Sequence, residues 1–208
     1  MTVERVVHIV DDDDGVRQSL AFLLSSAGLP VRLYDSATAF LAALASVQGG
    51  CLITDMRMPD MTGLELLREL RARALGLPTI VITGHGDVPL AVEAMKAGAV
   101  DFIEKPFEEQ AILDAVRAAL ERGGNEGDGD RAAIAGKLAL LSERERQVLD
   151  GLISGHANKT IAHNLGISPR TVEVYRANLM AKMQAKSLSE LIRMAILAQV
   201  PLAGRAAK

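Results

Sequence analysis

The chain has 208 residues, of which 49% are hydrophobic and 24% charged, and it carries one cysteine. That length allows one large domain or two small ones with real cores, and the single Cys51 excludes an internal disulfide and a cysteine-based metal site. No uncharged apolar stretch approaches the roughly 20 residues of a membrane helix, and the N-terminus lacks a basic-then-apolar leader pattern, so the expectation is a cytoplasmic protein with no membrane partner.

The net charge of −3 conceals an asymmetry. Residues 1–122 hold 11 Lys+Arg against 18 Asp+Glu, whereas residues 137–208 hold 11 against 5. An acidic module with a cation or regulatory role joined to a basic module with a polyanion partner fits that division.

The first strand, "VVHIV", runs into four consecutive aspartates, Asp11 to Asp14. Adjacent like charges repel, so the stretch calls for a cation, a helix start, or both. Asp13 and Asp14 suit the start of the helix "GVRQSLAFLLSSAG". Strands "VRLYD", "CLITD", "TIVIT" and "VDFIE" then alternate with helical segments "SATAFLAALASV", "GLELLRELRARA", "DVPLAVEAMKAG" and "PFEEQAILDAVRAALER". Five such alternations predict an α/β doubly wound five-stranded parallel sheet covered by helices on both faces. Gly28, Gly76 and Gly98 mark helix ends, with Pro30 and Pro78 beyond two of them.

The glycine-rich, acidic run "ERGGNEGDGDRAA" cannot bury a face, which predicts a flexible linker over 122–137 between domains at 5–121 and 138–202. Past it the strand signal disappears, predicting a small all-α domain. "LSERERQVLDGLISG" opens with Ser142 and Glu145 at capping-box spacing, and Ser168 caps "PRTVEVYRANLMAKM" with Pro169 at its first position. A last helix follows in "SLSELIRMAILAQV", with Ser187 and Glu190 at the same spacing. Residues 158–177 read as a helix-turn-helix held by Ile161, Leu165, Ile167, Val172 and, beyond the motif, Leu179, with the polar face of the second helix free for a major groove.

Ligands of doubly wound sheets bind outside the carboxyl ends of the strands. Asp11 and Asp12, Asp55, Thr83 and Lys105 occupy those ends. Carboxylates with waters suit Mg²⁺, and a carboxylate facing such a metal, with a Lys and a Thr to hold oxyanions, can accept a phosphoryl group. His85, between two glycines, has the chemistry of a phosphate carrier but reads as a solvated or structural loop residue.

The motifs "VDDD", "LITDMRMPDMTGLELL", "IVITGHGD" and "DFIEKPF" resemble, in order and spacing, the flavodoxin-like receiver domain of bacterial two-component response regulators. The C-terminal part resembles the LuxR-type helix-turn-helix, and the pairing is that of the NarL/FixJ family. The resemblance implies Asp55 as phosphoacceptor. It implies Mg²⁺ held by Asp12, Asp55 and the backbone carbonyl of Arg57, with Asp11 assisting through water. Lys105 would pair with phosphoryl oxygens, Thr83 would turn toward one of them, and Lys105–Pro106 would be a cis peptide. Phe102 stands where many relatives have Tyr, leaving an aromatic switch without a hydroxyl. Lys96 and Asp101 would lie with it on a dimerisation face.

For DNA, the same resemblance directs Arg170, Glu173, Val174, Arg176 and Ala177 to base edges, and Lys159, Thr160, Thr171, Tyr175, Asn178 and Lys182 to phosphates. Its implied partners are a sensor histidine kinase, FixL-like and oxygen-sensing, promoter DNA and RNA polymerase. The chain would be a monomer until phosphorylated and a homodimer afterwards, activating nitrogen-fixation regulatory genes. It would be no enzyme beyond its own phosphorylation and dephosphorylation. A Mg²⁺-dependent phosphohydrolase would place a second acid two residues after Asp55, where this chain has Arg57. A receiver acting only through protein contacts would not need the basic module.

Overall fold

A computed structural model of the chain describes residues 5–84, 88–121 and 128–199; His85 and residues 122–127 of the expected linker lie outside these. The chain divides into two compact units, residues 1–125 and 126–208.

The first unit alternates β1 (Val7–Val10), α1 (Asp14–Ser26), β2 (Val31–Tyr34), α2 (Ala37–Ala43), β3 (Cys51–Asp55), α3 (Gly63–Ala72), β4 (Thr79–Thr83), α4 (Val88–Lys96), β5 (Asp101–Glu104) and α5 (Glu109–Glu121). All strand pairs are parallel, in the order β2-β1-β3-β4-β5. β1, β3 and β4 are buried throughout, as expected of strands covered on both faces, while the edge strands β2 and β5 are only partly buried.

Alternation along the strands sorts the core into two layers. Val7, Ile9, Cys51, Ile53, Ile80 and Ile82 pack with Leu20 and Leu24 of α1 and Ile112 and Val116 of α5. Val10 and Leu52 face the other way, onto Phe40 of α2 and Leu66 and Leu70 of α3. Helix starts follow local chemistry: Asp13 accepts from the Val16 N–H as the cap of α1, and Thr62 and Glu65 form a reciprocal capping box on α3. α3 stops at Ala72, short of Gly76, and Ala74 takes the left-handed conformation (φ 54°) in its place.

The second unit contains α6 (Asp128–Ala139), α7 (Glu143–Ile153), α8 (Asn158–Leu165), α9 (Pro169–Met183) and α10 (Leu188–Gln199). α6 corrects the sequence reading, which ran the linker to residue 137. Its glycines and acids gave no apolar stripe, yet Ile134 is buried with Leu141, Val148, Leu152, Leu179 and Leu191. Tertiary burial of that one side chain, with Leu138 packed alongside, overrides weak helix propensity. Gly166, left-handed at φ 65°, ends α8 and makes the turn into α9.

Candidate functional site

The parallel register carries the candidate residues to one rim. Val10 pairs with Thr54, so Asp11 follows β1 where Asp55 ends β3; Asp55 pairs with Ile82, and Thr83 pairs with Glu104, the residue before Lys105. Asp11 and Asp55 thus flank the point where the chain's crossovers diverge from β1, the usual ligand site of such sheets.

The Lys105 Nζ donates to Asp55 Oδ1 at 2.6 Å and to Asp11 Oδ2 at 3.1 Å. Both carboxylates are almost removed from water. Burial pushes the Asp11 carboxyl up, opposed by the Asp13 N–H (2.9 Å to Oδ1) and by Lys105. Burial works against the Lys105 ammonium, but its bonds to Asp55 and Asp11 outweigh that and hold its pKa above 10.5. The remaining Asp55 oxygen accepts the Arg57 N–H at 2.6 Å. Thr83 is buried at the neighbouring strand end, and its carbonyl accepts the Lys105 N–H at 2.8 Å. The Lys105–Pro106 bond is cis, as the family resemblance implied.

Asp12 is exposed at the rim. Among the described residues, no three His, Cys, Asp or Glu side chains are grouped to hold a metal. The donor chemistry nevertheless fits a hard cation: two buried carboxylates, Asp11 and Asp55, already share one cationic group, and Asp12 follows Asp11 in the chain as a further oxygen donor.

Sequence reasoning missed three supports of this rim. Arg17 donates to the Asp11 carbonyl at 2.6 Å and to Asp14 Oδ1 at 2.8 Å. Asp60 accepts the Thr38 N–H at 2.9 Å, tying the loop after Asp55 to α2. Gly63 lets the start of α3 press on the Asp55 carbonyl, where an added Cβ would stand 2.3 Å from that oxygen. The Thr62–Glu65 capping-box spacing was the available signal for the α3 start, and the i,i+3 spacing of Asp14 and Arg17 was one for the Arg17 contact; the Asp60–Thr38 pairing has no local pattern.

On the first unit's other edge, Lys96 is exposed at the end of α4, and Asp101 and Phe102 are partly buried on β5.

In the second unit, Arg170, Glu173, Val174 and Ala177 form an exposed stripe at helical spacing on α9, with Asn178 beside it and Val174 as much as 56% exposed. Lys159 and Thr160 are exposed on α8. Other candidates have partners within the unit. Tyr175 packs against the helical core, and the Thr171 hydroxyl lies 2.8 Å from that of Ser168. Arg176 donates to Asn158 Oδ1 at 3.1 Å. Lys182, expected near phosphate, is held by Glu145 at 2.7 Å. Glu145 is buried and also forms the capping box with Ser142, so Lys182 ties α9 to the start of α7. The Lys182 ammonium, then the Ser142 N–H and hydroxyl, draw the Glu145 carboxyl down to about 2.

Residues 7–117 match the response regulator receiver domain, and residues 139–195 match the bacterial regulatory proteins of the luxR family. The chain is 61% identical over 196 residues to the transcriptional regulatory protein FixJ of Azorhizobium caulinodans, covering 93% of each. It is 59% identical over 192 residues to FixJ of Rhizobium meliloti, covering 91% of this chain and 94% of that one. The crystal structure of full-length FixJ from B. japonicum aligns with a TM-score of 0.57 at 51% identity, covering 95% of this chain and 98% of that one. No helix among the described residues is long and apolar enough to cross a membrane. With a receiver and a luxR-type DNA-binding domain in one chain, and relatives sharing most of its residues along nearly its whole length, the protein belongs to the NarL/FixJ family of two-component response regulators.

Proposed function

We propose that the rim of the parallel sheet is a phosphorylation switch that controls DNA binding by the helical domain. The observation that carries this reading is the pair of buried carboxylates, Asp11 and Asp55, sharing the Lys105 ammonium beside the buried Thr83. Asp55 is the acceptor: a carboxylate oxygen attacks the phosphorus of a phosphohistidine on a sensor kinase, and the phosphorus–nitrogen bond breaks with the electron pair leaving on nitrogen. Lys105 then exchanges a carboxylate oxygen for phosphoryl oxygens, and Thr83 donates its hydroxyl to one of them. Asp12, Asp55 and the Arg57 carbonyl, with Asp11 assisting, would hold Mg²⁺, which would supply neutralisation of the phosphoryl charge.

Movement of Thr83 and Lys105 is passed to the edge that carries Lys96, Asp101 and Phe102, which pairs two phosphorylated receivers into a homodimer. Pairing places two copies of α9 on neighbouring half-sites of promoter DNA, where Arg170, Glu173, Val174 and Ala177 meet base edges and Lys159 and Thr160 meet phosphates. The relatives are named as transcriptional regulatory proteins, which supports a transcription regulator; the family resemblance extends this to a cytoplasmic activator of nitrogen-fixation genes that works with RNA polymerase and answers to a FixL-like oxygen-sensing kinase. The chain's only catalysis is of its own phosphorylation and dephosphorylation.

Acetyl phosphate with Mg²⁺ tests the switch. One phosphoryl group per chain, lost in Asp55→Asn, is the expected result; many turnovers of a free phosphate ester would make the protein a hydrolase instead. Deleting residues 1–124 tests the control: the fragment should bind DNA constitutively, and binding no tighter than that of the unphosphorylated full chain rejects inhibition by the receiver.

A further inference from the structure

We propose that Arg17 is a positioning residue for the cation-binding turn between β1 and α1, an assignment that rests on the Mg²⁺ reading of the rim. Helical side chains lean toward the helix N-terminus, and Arg17, in the first turns of α1, reaches back over its own start. Its two terminal nitrogens divide the work: Nη1 donates to the Asp11 carbonyl at 2.6 Å and Nη2 to Asp14 Oδ1 at 2.8 Å. The guanidinium fork therefore joins the carbonyl of the first residue past the strand to the first residue of the helix, across the four-aspartate turn.

The turn is fixed at Asp11 from two further directions. Its Oδ1 accepts the Asp13 N–H at 2.9 Å, and its own N–H reaches the Tyr34 carbonyl at 3.4 Å. Arg17 controls the remaining handle, the carbonyl of the peptide that leads into Asp12. That peptide sets the backbone direction of Asp12, the neighbouring residue assigned to Mg²⁺. The Arg17 side chain is only 13% exposed while its Asp14 partner is 72% exposed, so the guanidinium is seated in the turn and not in solvent.

Two effects of removing Arg17 oppose each other. Loss of a positive charge near the rim favours a cation, but that charge is already neutralised by Asp14 at 2.8 Å. Loss of the carbonyl contact frees the direction of a ligand, and partners that orient metal ligands are worth about 10–100-fold in metal affinity. Positioning therefore dominates. A lysine, with one point-like ammonium, cannot span both acceptors and restores the site only in part.

Calorimetric titration of Mg²⁺ into the metal-free full-length chain measures this without phosphorylation. Arg17→Met should weaken Mg²⁺ binding by about tenfold or more, and Arg17→Lys by less. Asp14→Ala, which leaves the carbonyl contact in place, should stay within about threefold of the unaltered chain. A melting temperature in EDTA that falls in Arg17→Met while Mg²⁺ affinity stays within about twofold assigns Arg17 to stability alone and overturns the proposal. If Arg17→Met does not fold by circular dichroism, Arg17→Lys decides: affinity equal to that of the unaltered chain overturns it. Absence of Mg²⁺ binding by the unaltered chain overturns the reading of the rim, and this inference with it.

Discussion

Gly63→Ala isolates the packing that aims Asp55. Gly63 is the first residue of α3 and its N–H donates to the Met56 carbonyl at 3.0 Å. A Cβ there would lie 2.3 Å from the Asp55 carbonyl oxygen, 3.2 Å from its carbonyl carbon and 3.3 Å from the Met56 Cα. Every one of these is backbone, so no side-chain rotation relieves the clash. The oxygen contact must open from 2.3 Å to beyond 3.0 Å by moving either the end of β3 or the start of α3. Helix propensity alone favours alanine over glycine by about 1 kcal/mol, whereas forced overpacking costs about 1–3 kcal/mol. The net expectation is a loss of about 0–2 kcal/mol, centred on a fall in melting temperature on the order of 5 °C for a unit of this size. The same displacement carries the Arg57 N–H away from Asp55 Oδ2, now 2.6 Å apart, so labelling by acetyl phosphate should slow as well. Far-UV circular dichroism during heating and the initial rate of labelling measure the two effects. A variant that melts at or above the temperature of the unaltered chain and is labelled at its rate would show that α3 is not pressed on Asp55, and the reasoning fails.

In the helical unit, the Glu145 pKa falls from 4.5 in the unfolded chain to about 2, so the stability it contributes is present above pH 4.5 and is lost between there and about 2. Lys182→Met should therefore move acid unfolding of that unit to higher pH, and an unchanged midpoint in a pH titration by circular dichroism would contradict the Lys182–Glu145 tie. In the first unit, burial, assisted by Arg32 and opposed by a Gly49 backbone contact, holds His8 below 6.5. The unfolded chain then takes up the proton first, and urea midpoints of that unit should fall as pH drops below 6.5, a slope that His8→Gln should flatten. Within the aspartate run, Asp12→Ala should abolish Mg²⁺-dependent labelling of Asp55, whereas Asp14→Ala should leave most of it; equal losses in the two variants would return all four aspartates to one shared role.

The architecture was legible because each strand of a parallel sheet announces itself twice, as a short β-branched run and by the long helical segment that must follow it. Candidate rim residues could be named for the same reason: in such a sheet the strand ends share one side, and Asp11, Asp55, Thr83 and Lys105 are the polar residues found there. The division of "DDDD" was also readable, and Asp13 caps α1 while Asp11 is buried at the rim. What the sequence hid depends on contacts between distant positions or on a single buried side chain. α6 forms because Ile134 is buried in the helical core, although its glycines and acids read as linker. The Lys182–Glu145 pair was hidden because nothing local shows that Glu145, 37 residues away, is buried beside it. Arg176 and Tyr175 were directed to DNA by the family resemblance, which does not show that Arg176 bonds Asn158 or that Tyr175 packs against the core. Periodicity and residue chemistry are local and determined the elements, their order and the candidate rim residues. Pairing of charges across the fold is decided by the direction each side chain takes when the elements pack, and only the tertiary structure shows it.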